Sequence, residues 1–405
     1  MPYHAVLLWT AVRDARALPT GDRYTGTREL PAPLALGAEQ EVLVGVSCSG
    51  AAGLRAAVAD HVPAGLRAWN APVPGSFDAD GCLILSYPIR PVRRGLYSFP
   101  RLDLRVWREG GWWLRQVRLP VVSEAAVYPD VLAVKRWQLT LRRGVRVLPG
   151  QRRARPPGAA TTPAALRDYL PGDDVRRVNW KATARRDSPV TTELEAERGQ
   201  QVLIALDCGR LMTAPAGHLT KLDHAVNAAL LLAWVAQTQG DRVGLLTFSD
   251  QVRSFLPPRR GLRQVHRLNE VLFKVEASYT EPEFGEAFAY LAGRVPGRSL
   301  VVVLTDVLDA DASSDLVAHS LRLGRRHRVV VVAMSDPEVV RLVRRPLAGS
   351  ASVFEWAAAE ELLSSRRRAF ETLQQGGVQS LDVEAGRLSP AVLERYLELK
   401  ERGLI

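Results

Sequence analysis

The stretch Asp168–Arg186, "DYLPGDDVRRVNWKATARR", gathers the side chains most able to do chemistry in this chain. Asp173 and Asp174 are paired carboxylates, the groups of general acid–base catalysis. Such work needs an environment that drives the two pKa values apart, and a loop set among arginines gives no sign of one. Pro171-Gly172 reads as the centre of a tight turn, proline presetting one dihedral and glycine supplying a positive one. Asp173 or Asp174 is then placed to cap a short helix. On that helix Val175, Val178 and Ala182 share a face, and Arg177, Lys181 and Arg185 share another. Like charges four apart repel and call for an anion. "VTTELEAERG" (190–199) offers one: strict alternation puts Glu193, Glu195 and Glu197 on one face of a strand. We read the segment as a clasp between two domains, its carboxylate stripe bracing its cationic stripe. Arg167, Asp168, Tyr169, Asn179 and Trp180 belong to it, and some arginines stay open to an acidic partner.

The elements around the clasp differ on its two sides. Residues 28–130 read as a β-sandwich domain, after a tail at 1–27. "EVLVGVSC" (41–48), "CLILSYPI" (82–89) and "RLDLRVW" (101–107) are short, partly alternating and separated by turn signals. Residues 131–199 form a basic linker and the clasp. Lys135–Arg155 is dense in cations without an acid, and "PPGAATTP" (156–163) reads as a flexible connection. From 200 to 405 short apolar runs alternate with helical patterns. Strands are expected at 201–207, 242–248, 299–306, 328–334 and 378–383. Helices are expected between 219 and 240, near 261–275 and 283–295, and at 389–402, where Ser389-Pro390 reads as an N-terminal signal. That alternation implies a doubly wound α/β domain.

The totals exclude several classes. The chain has 405 residues, 47% hydrophobic and 24% charged, with a net charge of +11. This is a globular composition with a basic excess that favours anionic partners. Cys48, Cys82 and Cys208 are scattered and form no thiolate zinc pattern or disulfide framework. "AVLLWTAV" (5–12) is too short to span a bilayer and lacks the flanks of a signal peptide. His218, His224, His266, His319 and His327 show no ligand spacing, and no phosphate loop, nucleophile elbow or HExxH motif occurs. "SSRRRAF" (364–370) is taken as the solvated face of a helix.

"RDYLPGDDVRRVNWKATARR", followed by an acidic strand and "LDCGRLM", resembles the signature of the domain-of-unknown-function family 58, as does "VRRGLYSFPRLDL" (92–104) in the front part. The resemblance implies a von Willebrand factor A-like domain after the signature. It implies work beside MoxR-type AAA+ ATPases, and possession of other von Willebrand A proteins as neighbours. No reaction is assigned to the family. Members usually begin with two membrane helices; here either Met1 is an internal start or the anchor is lost, with Ala5–Val12 as its remnant.

Carboxylates at the carboxyl ends of parallel strands are where an open α/β sheet binds ligands. Asp207 and Asp306 stand there. The resemblance implies a Mg²⁺ rim built on D-x-S-x-S, a distant threonine and a distant aspartate. Here the motif reads "DCGRL", with Gly209 and Leu211 at the serine positions, and Pro282 falls at the threonine position with Thr280 two residues away. We read the rim as degenerate and short of a working Mg²⁺ site, with Asp207 and Asp306 bonded to local backbone and Arg210, and Asp309 and Asp311 as nearby acids. The expectation is a non-enzymatic adaptor for a MoxR-type ATPase, cytoplasmic or at the inner membrane face, with no nucleic acid as partner. The alternative is a binder of anionic surfaces, nucleic acid or phospholipid headgroups, through its arginine-rich segments.

Overall fold

The computed structural model describes residues 2–68, 72–129, 162–169, 178–186, 188–195, 199–307, 310–346 and 350–404. The fold is mixed α/β and divides into two units, Met1–Leu132 and Ala133–Ile405.

The first unit holds helix α1 (Pro2–Ala17) and eleven strands: β1 (Tyr24–Glu29), β2 (Leu34–Ala35), β3 (Gln40–Cys48), β4 (Arg55–Asp60), β5 (Leu66–Ala68), β6 (Val73–Ser76), β7 (Cys82–Pro91), β8 (Gly95–Phe99), β9 (Leu102–Trp107), β10 (Leu114–Leu119) and β11 (Ser123–Tyr128). They form sheets of order β1-β3-β7-β5, β10-β9-β4-β6 and β2-β11-β8. Strand alternation builds the core: in β3 Val42, Val44, Val46 and Cys48 are buried while Glu41, Leu43 and Ser47 face outward. A buried ion pair crosses this core. Arg28 grips Asp60 with two hydrogen bonds of 2.8 and 2.6 Å, and Tyr87 Oη donates to the same carboxylate at 2.5 Å. The stretch set apart as the tail, 1–27, forms α1 and the start of β1. Asp14 anchors α1 by accepting from the backbone N–H groups of Trp112 and Trp113 at 2.7 and 3.0 Å.

The second unit opens with β12 (Thr162–Asp168), β13 (Val190–Glu195) and, between them, α2 (Trp180–Arg186). β12 and β13 pair antiparallel, so Thr162 and Pro163 begin a strand rather than end a flexible connection.

The remaining elements are β14 (Gln201–Asp207), the small hairpin β15 (Pro215–Ala216) and β16 (Leu219–Thr220), α3 (Lys221–Thr238), β17 (Arg242–Phe248), β18 (Val252–Arg259), α4 (Leu262–Lys274), α5 (Phe284–Arg294), β19 (Leu300–Thr305), α6 (Ala310–Gly324), β20 (Arg328–Ser335), α7 (Pro337–Arg344), α8 (Ser350–Gln375), β21 (Gln379–Glu384) and α9 (Leu388–Glu401). The five expected strands lie within a residue or two of their predicted bounds. β18 was not expected, because Pro257 and Pro258 argue against a central strand; it forms an antiparallel edge, where a missing N–H is tolerated.

The main sheet has the order β18-β17-β14-β19-β20-β21, with every pair parallel except β17–β18. Leu203, Ala205, Val301 and Val303 on one face pack against Phe284, Phe288, Leu316 and Leu373 from α5, α6 and α8. On the other face α3 lies along β14 and β17, flanked by α4 and α9. α3 is apolar nearly all round and correspondingly buried nearly all round. Each large apolar side chain buried in this way contributes roughly 1.5–3 kcal/mol. α3 ends where Gly240 takes a positive φ of 82°. α9 starts at Leu388 without a side-chain cap, so Pro390 sits inside its first turn rather than Ser389 capping it.

The first strand, β14, is central, and the chain continues first to one side of it (β17) and later to the other (β19). Connections therefore part company at the carboxyl ends of β14 and β19, the place where open α/β sheets leave a crevice.

Candidate functional site: a crevice closed by its own cations

Asp207 ends β14 and Asp306 follows β19, so the parallel register brings them to the same crevice. Asp207 is almost fully buried. Its Oδ2 accepts from Thr305 Oγ1 at 2.6 Å, and its Oδ1 accepts from the Gly209 N–H at 2.7 Å. Burial pushes its carboxyl up to about 6, against the opposing pull of these two hydrogen bonds.

Asp306 is also buried, and each of its oxygens meets a buried cation. Lys221 Nζ donates to Oδ2 at 2.5 Å and Arg366 Nη1 to Oδ1 at 3.0 Å. Arg366 also donates to the Val307 carbonyl oxygen, and it grips Asp382 on β21 with bonds of 3.0 and 2.7 Å. Two cations and two carboxylates thus form one balanced network. Burial opposes the charge on Arg366; Asp382 and Asp306 outweigh it and hold its pKa above the ordinary value.

The local sequence explains how each cation gets there. Thr220 and Asp223 form a reciprocal capping box that starts α3, which places Lys221 at the first helical position. A cation is disfavoured at a helix N-terminus, so Lys221 depends on Asp306 for its charge partner. Arg366 lies in the middle of α8, and its guanidinium also sits over the Phe370 ring, 5.4 Å from its centroid.

These contacts correct two expectations. Arg210 pairs with Glu281, not with Asp207 or Asp306. The "SSRRRAF" run is not wholly solvated, since Arg366 is buried. Thr280, two residues from the expected threonine position, bonds Ser278 at 2.7 Å and Asp250 at 3.3 Å instead of a strand-end carboxylate.

The residues present do not fit a bound Mg²⁺. All four oxygens of Asp207 and Asp306 already have protein donors, and Gly209 has no side-chain ligand to offer. Space for one is tight: a Cβ at Gly209 would stand 3.0 Å from Asp207 Oδ1, from Pro282 and from the Thr280 carbonyl oxygen. Leu211 is apolar. Among the described residues no three His, Cys, Asp or Glu side chains cluster as a metal site. Asp309 lies outside the described residues, and Asp311 is in α6.

The clasp segment is described in part. Asn179 starts α2: its Oδ1 accepts from the Ala182 N–H at 3.0 Å and its carbonyl oxygen from the Thr183 N–H at 2.9 Å. Val178 sits in a β-bridge with Thr191 rather than on the helix. Lys181 and Arg185 are both exposed on α2, and Trp180 is 68% exposed. Asp168 ends β12, and the N–H of Tyr169, the next residue, bonds the Pro189 carbonyl oxygen at 2.8 Å. Arg167 lies within β12, and Glu193 and Glu195 lie within β13. Pro171, Gly172, Asp173, Asp174, Arg177 and Glu197 lie outside the described residues, as does Lys135–Arg155.

Sheet, crevice and signature segment together define a mixed α/β protein with a parallel-sheet domain and a strand-rich front domain. The profile of the family described as "Protein of unknown function DUF58" matches residues 165–373, just over half of the chain. The chain belongs to the DUF58 family. Relatives include the uncharacterized proteins Rv1480 of Mycobacterium tuberculosis and Mb1516 of Mycobacterium bovis. Each is 26% identical over 213 residues, covering 52% of this chain and 66% of the relative. The chain thus spans just under two thirds of the length of these curated relatives. Among solved structures, the CARDB domain of the PF1109 protein from Pyrococcus furiosus matches 26% of this chain and 93% of its own at 14% identity and a TM-score of 0.18. Proximal thread matrix protein 1 from the mussel byssus matches 50% of this chain and 46% of its own at 11% identity and a TM-score of 0.31. At these scores neither likeness carries an argument about this chain.

Proposed function

We propose that this chain is a non-enzymatic adaptor whose second unit is a doubly wound, von Willebrand A-like domain working without a metal, with a MoxR-type AAA+ ATPase as partner. One observation carries the metal-free part: Lys221 and Arg366 neutralise the strand-end carboxylate Asp306 from within the fold. The six-stranded sheet with helices on both faces supports the domain class, and the family resemblance supports the partner. Among the described residues no nucleophile–base pair stands at the crevice to support a reaction. On this reading the clasp segment offers Lys181, Arg185 and the exposed Trp180 to the partner.

The test is capture of the nucleotide-free ATPase from the same organism by the purified chain, in Mg²⁺ and in EDTA, at low and high salt. Binding that persists in EDTA and at high salt is the expected result. Binding that requires Mg²⁺ would defeat the filled-crevice reading, and no binding in any condition would defeat the adaptor reading.

A second reading, association with an anionic membrane surface, draws on the first unit. No described helix is long and apolar enough to cross a membrane. Yet Tyr3, Val6, Leu7, Leu8, Trp9 and Val12 of α1 are exposed beside Trp112 and Trp113, whose backbone α1 is anchored to. Apolar and aromatic side chains of this kind, with Arg13 and Arg16 following, suit a bilayer interface. Replacing Trp9, Trp112 and Trp113 together by alanine is expected to lower co-sedimentation with vesicles containing anionic lipid by about tenfold or more. Unchanged co-sedimentation would exclude this surface.

A further inference from the structure

The edge of the main sheet opposite the crevice carries a cluster of arginines with no role in the contacts described above. Arg328 opens β20, and its backbone N–H bonds the carbonyl oxygen of Ser299, the residue just before β19. Arg298 precedes Ser299 and is exposed. Arg395 comes from α9, which packs beside β21. β19 is six residues long, so this edge lies roughly 20 Å from Asp306.

Arg298 and Arg395 each act electrostatically on Arg328. Burial, and then the charges of Arg298 and Arg395, hold the pKa of Arg328 below the ordinary arginine value. Both charges are positive. Arg395 shares its carboxylate, Glu398, with Arg402, at 2.5 and 2.7 Å, so one acid serves two cations there. The Nε groups of Arg328 and Arg395 are buried and lack a hydrogen-bond partner. A buried donor without an acceptor destabilises the fold, and like charges gathered at one edge add to that cost. Both costs disappear if an oxyanion completes the site. Arginine's planar fork suits a tetrahedral oxyanion such as phosphate, which can accept from several guanidinium groups at once.

We propose that Arg298, Arg328 and Arg395 form a binding site for a small phosphate-class anion, free phosphate or a pyrophosphate group, at the amino-terminal edge of the parallel sheet. The site is independent of the crevice and of the adaptor reading.

The full chain is titrated with inorganic phosphate and with pyrophosphate at constant ionic strength, balanced with chloride, and followed by calorimetry and by thermal unfolding. Saturable binding with a rise in Tm is expected. Arg298→Ala changes an exposed residue and leaves the fold intact, and it should weaken binding about tenfold or more, the loss expected for one charge-assisted contact. Arg395→Gln should act in the same direction. Arg55→Ala, which removes an exposed arginine of the first unit and the same net charge, should leave the affinity unchanged. The proposal is overturned if phosphate does no more than chloride, or if the Arg55 variant loses as much affinity as the Arg298 variant. Preference for pyrophosphate over phosphate would point to a diphosphate-bearing ligand, and equal affinity to a single phosphoryl group; either supports the site.

Discussion

Asp306→Ala is expected to destabilise the second unit by about 3–5 kcal/mol, the cost of leaving a buried charge without its partner. The change strands Lys221, whose side chain is only 6% exposed, and removes half of the compensation for Arg366. Lys221→Met should cost clearly less. Asp306 keeps Arg366 in that variant, and Asp382, 39% exposed, keeps both Arg366 and water. The asymmetry decides between two views of the network. If Lys221 and Arg366 are the internal counter-ions of Asp306, urea unfolding ranks Asp306→Ala well below Lys221→Met. Equal losses would mean that the ammonium is not held chiefly by this carboxylate. Mg²⁺ added to Lys221→Met adds a second check: stabilisation by the metal in this variant and not in the parent would place the ammonium in competition with a divalent cation.

The sheet that positions these groups was legible because buried parallel strands need no alternation. "QVLIALD" and "SLVVVLTD" are apolar throughout, and each ends in the aspartate that reaches the crevice. The partners of those aspartates were harder to read. Arg366 sits in a run of three arginines, which reads as a solvated face. Yet Ala359, Arg366, Ala369 and Leu373 recur at helical spacing, and all four are buried. An arginine on the apolar stripe of a helix was the available signal that one cation of the run turns inward. Lys221 gave less warning, because only the Thr220–Asp223 capping spacing fixes where α3 begins. In the clasp, Asn179 is a cap that the reading of the segment passed over, although asparagine caps well. The β-bridge at Val178 is a tertiary contact with Thr191, and nothing local in the sequence encodes it. Three of the front unit's strands, β3, β7 and β9, were visible from alternation, but the grip of Arg28 on Asp60 joins residues far apart in the chain and leaves no pattern.

Asp207→Asn should make the folded chain more stable at neutral pH while leaving it nearly unchanged in acid. Burial raises the Asp207 carboxyl from its ordinary 3.8 to about 6. Below pH 3.8 the group is protonated whether the chain is folded or not, and its contribution to stability is fully present. Between pH 4 and 6 the unfolded chain has released the proton and the folded chain still holds it. Stability therefore falls as pH rises through this window, by about 1.4 kcal/mol per unit, or about 3 kcal/mol in all. Asparagine has no proton to lose. Its carbonyl oxygen can accept from the Gly209 N–H and its amide can donate to Thr305 Oγ1, so both hydrogen bonds of the protonated acid have counterparts. Subtracting the variant's unfolding free energy from the parent's at each pH cancels every other titrating group. The difference should be near zero around pH 4 and should grow in the variant's favour to about 3 kcal/mol by pH 7. Parallel pH curves for the two proteins would show that Asp207 titrates as an ordinary surface carboxylate, and the closed crevice inferred from its burial would have to be abandoned.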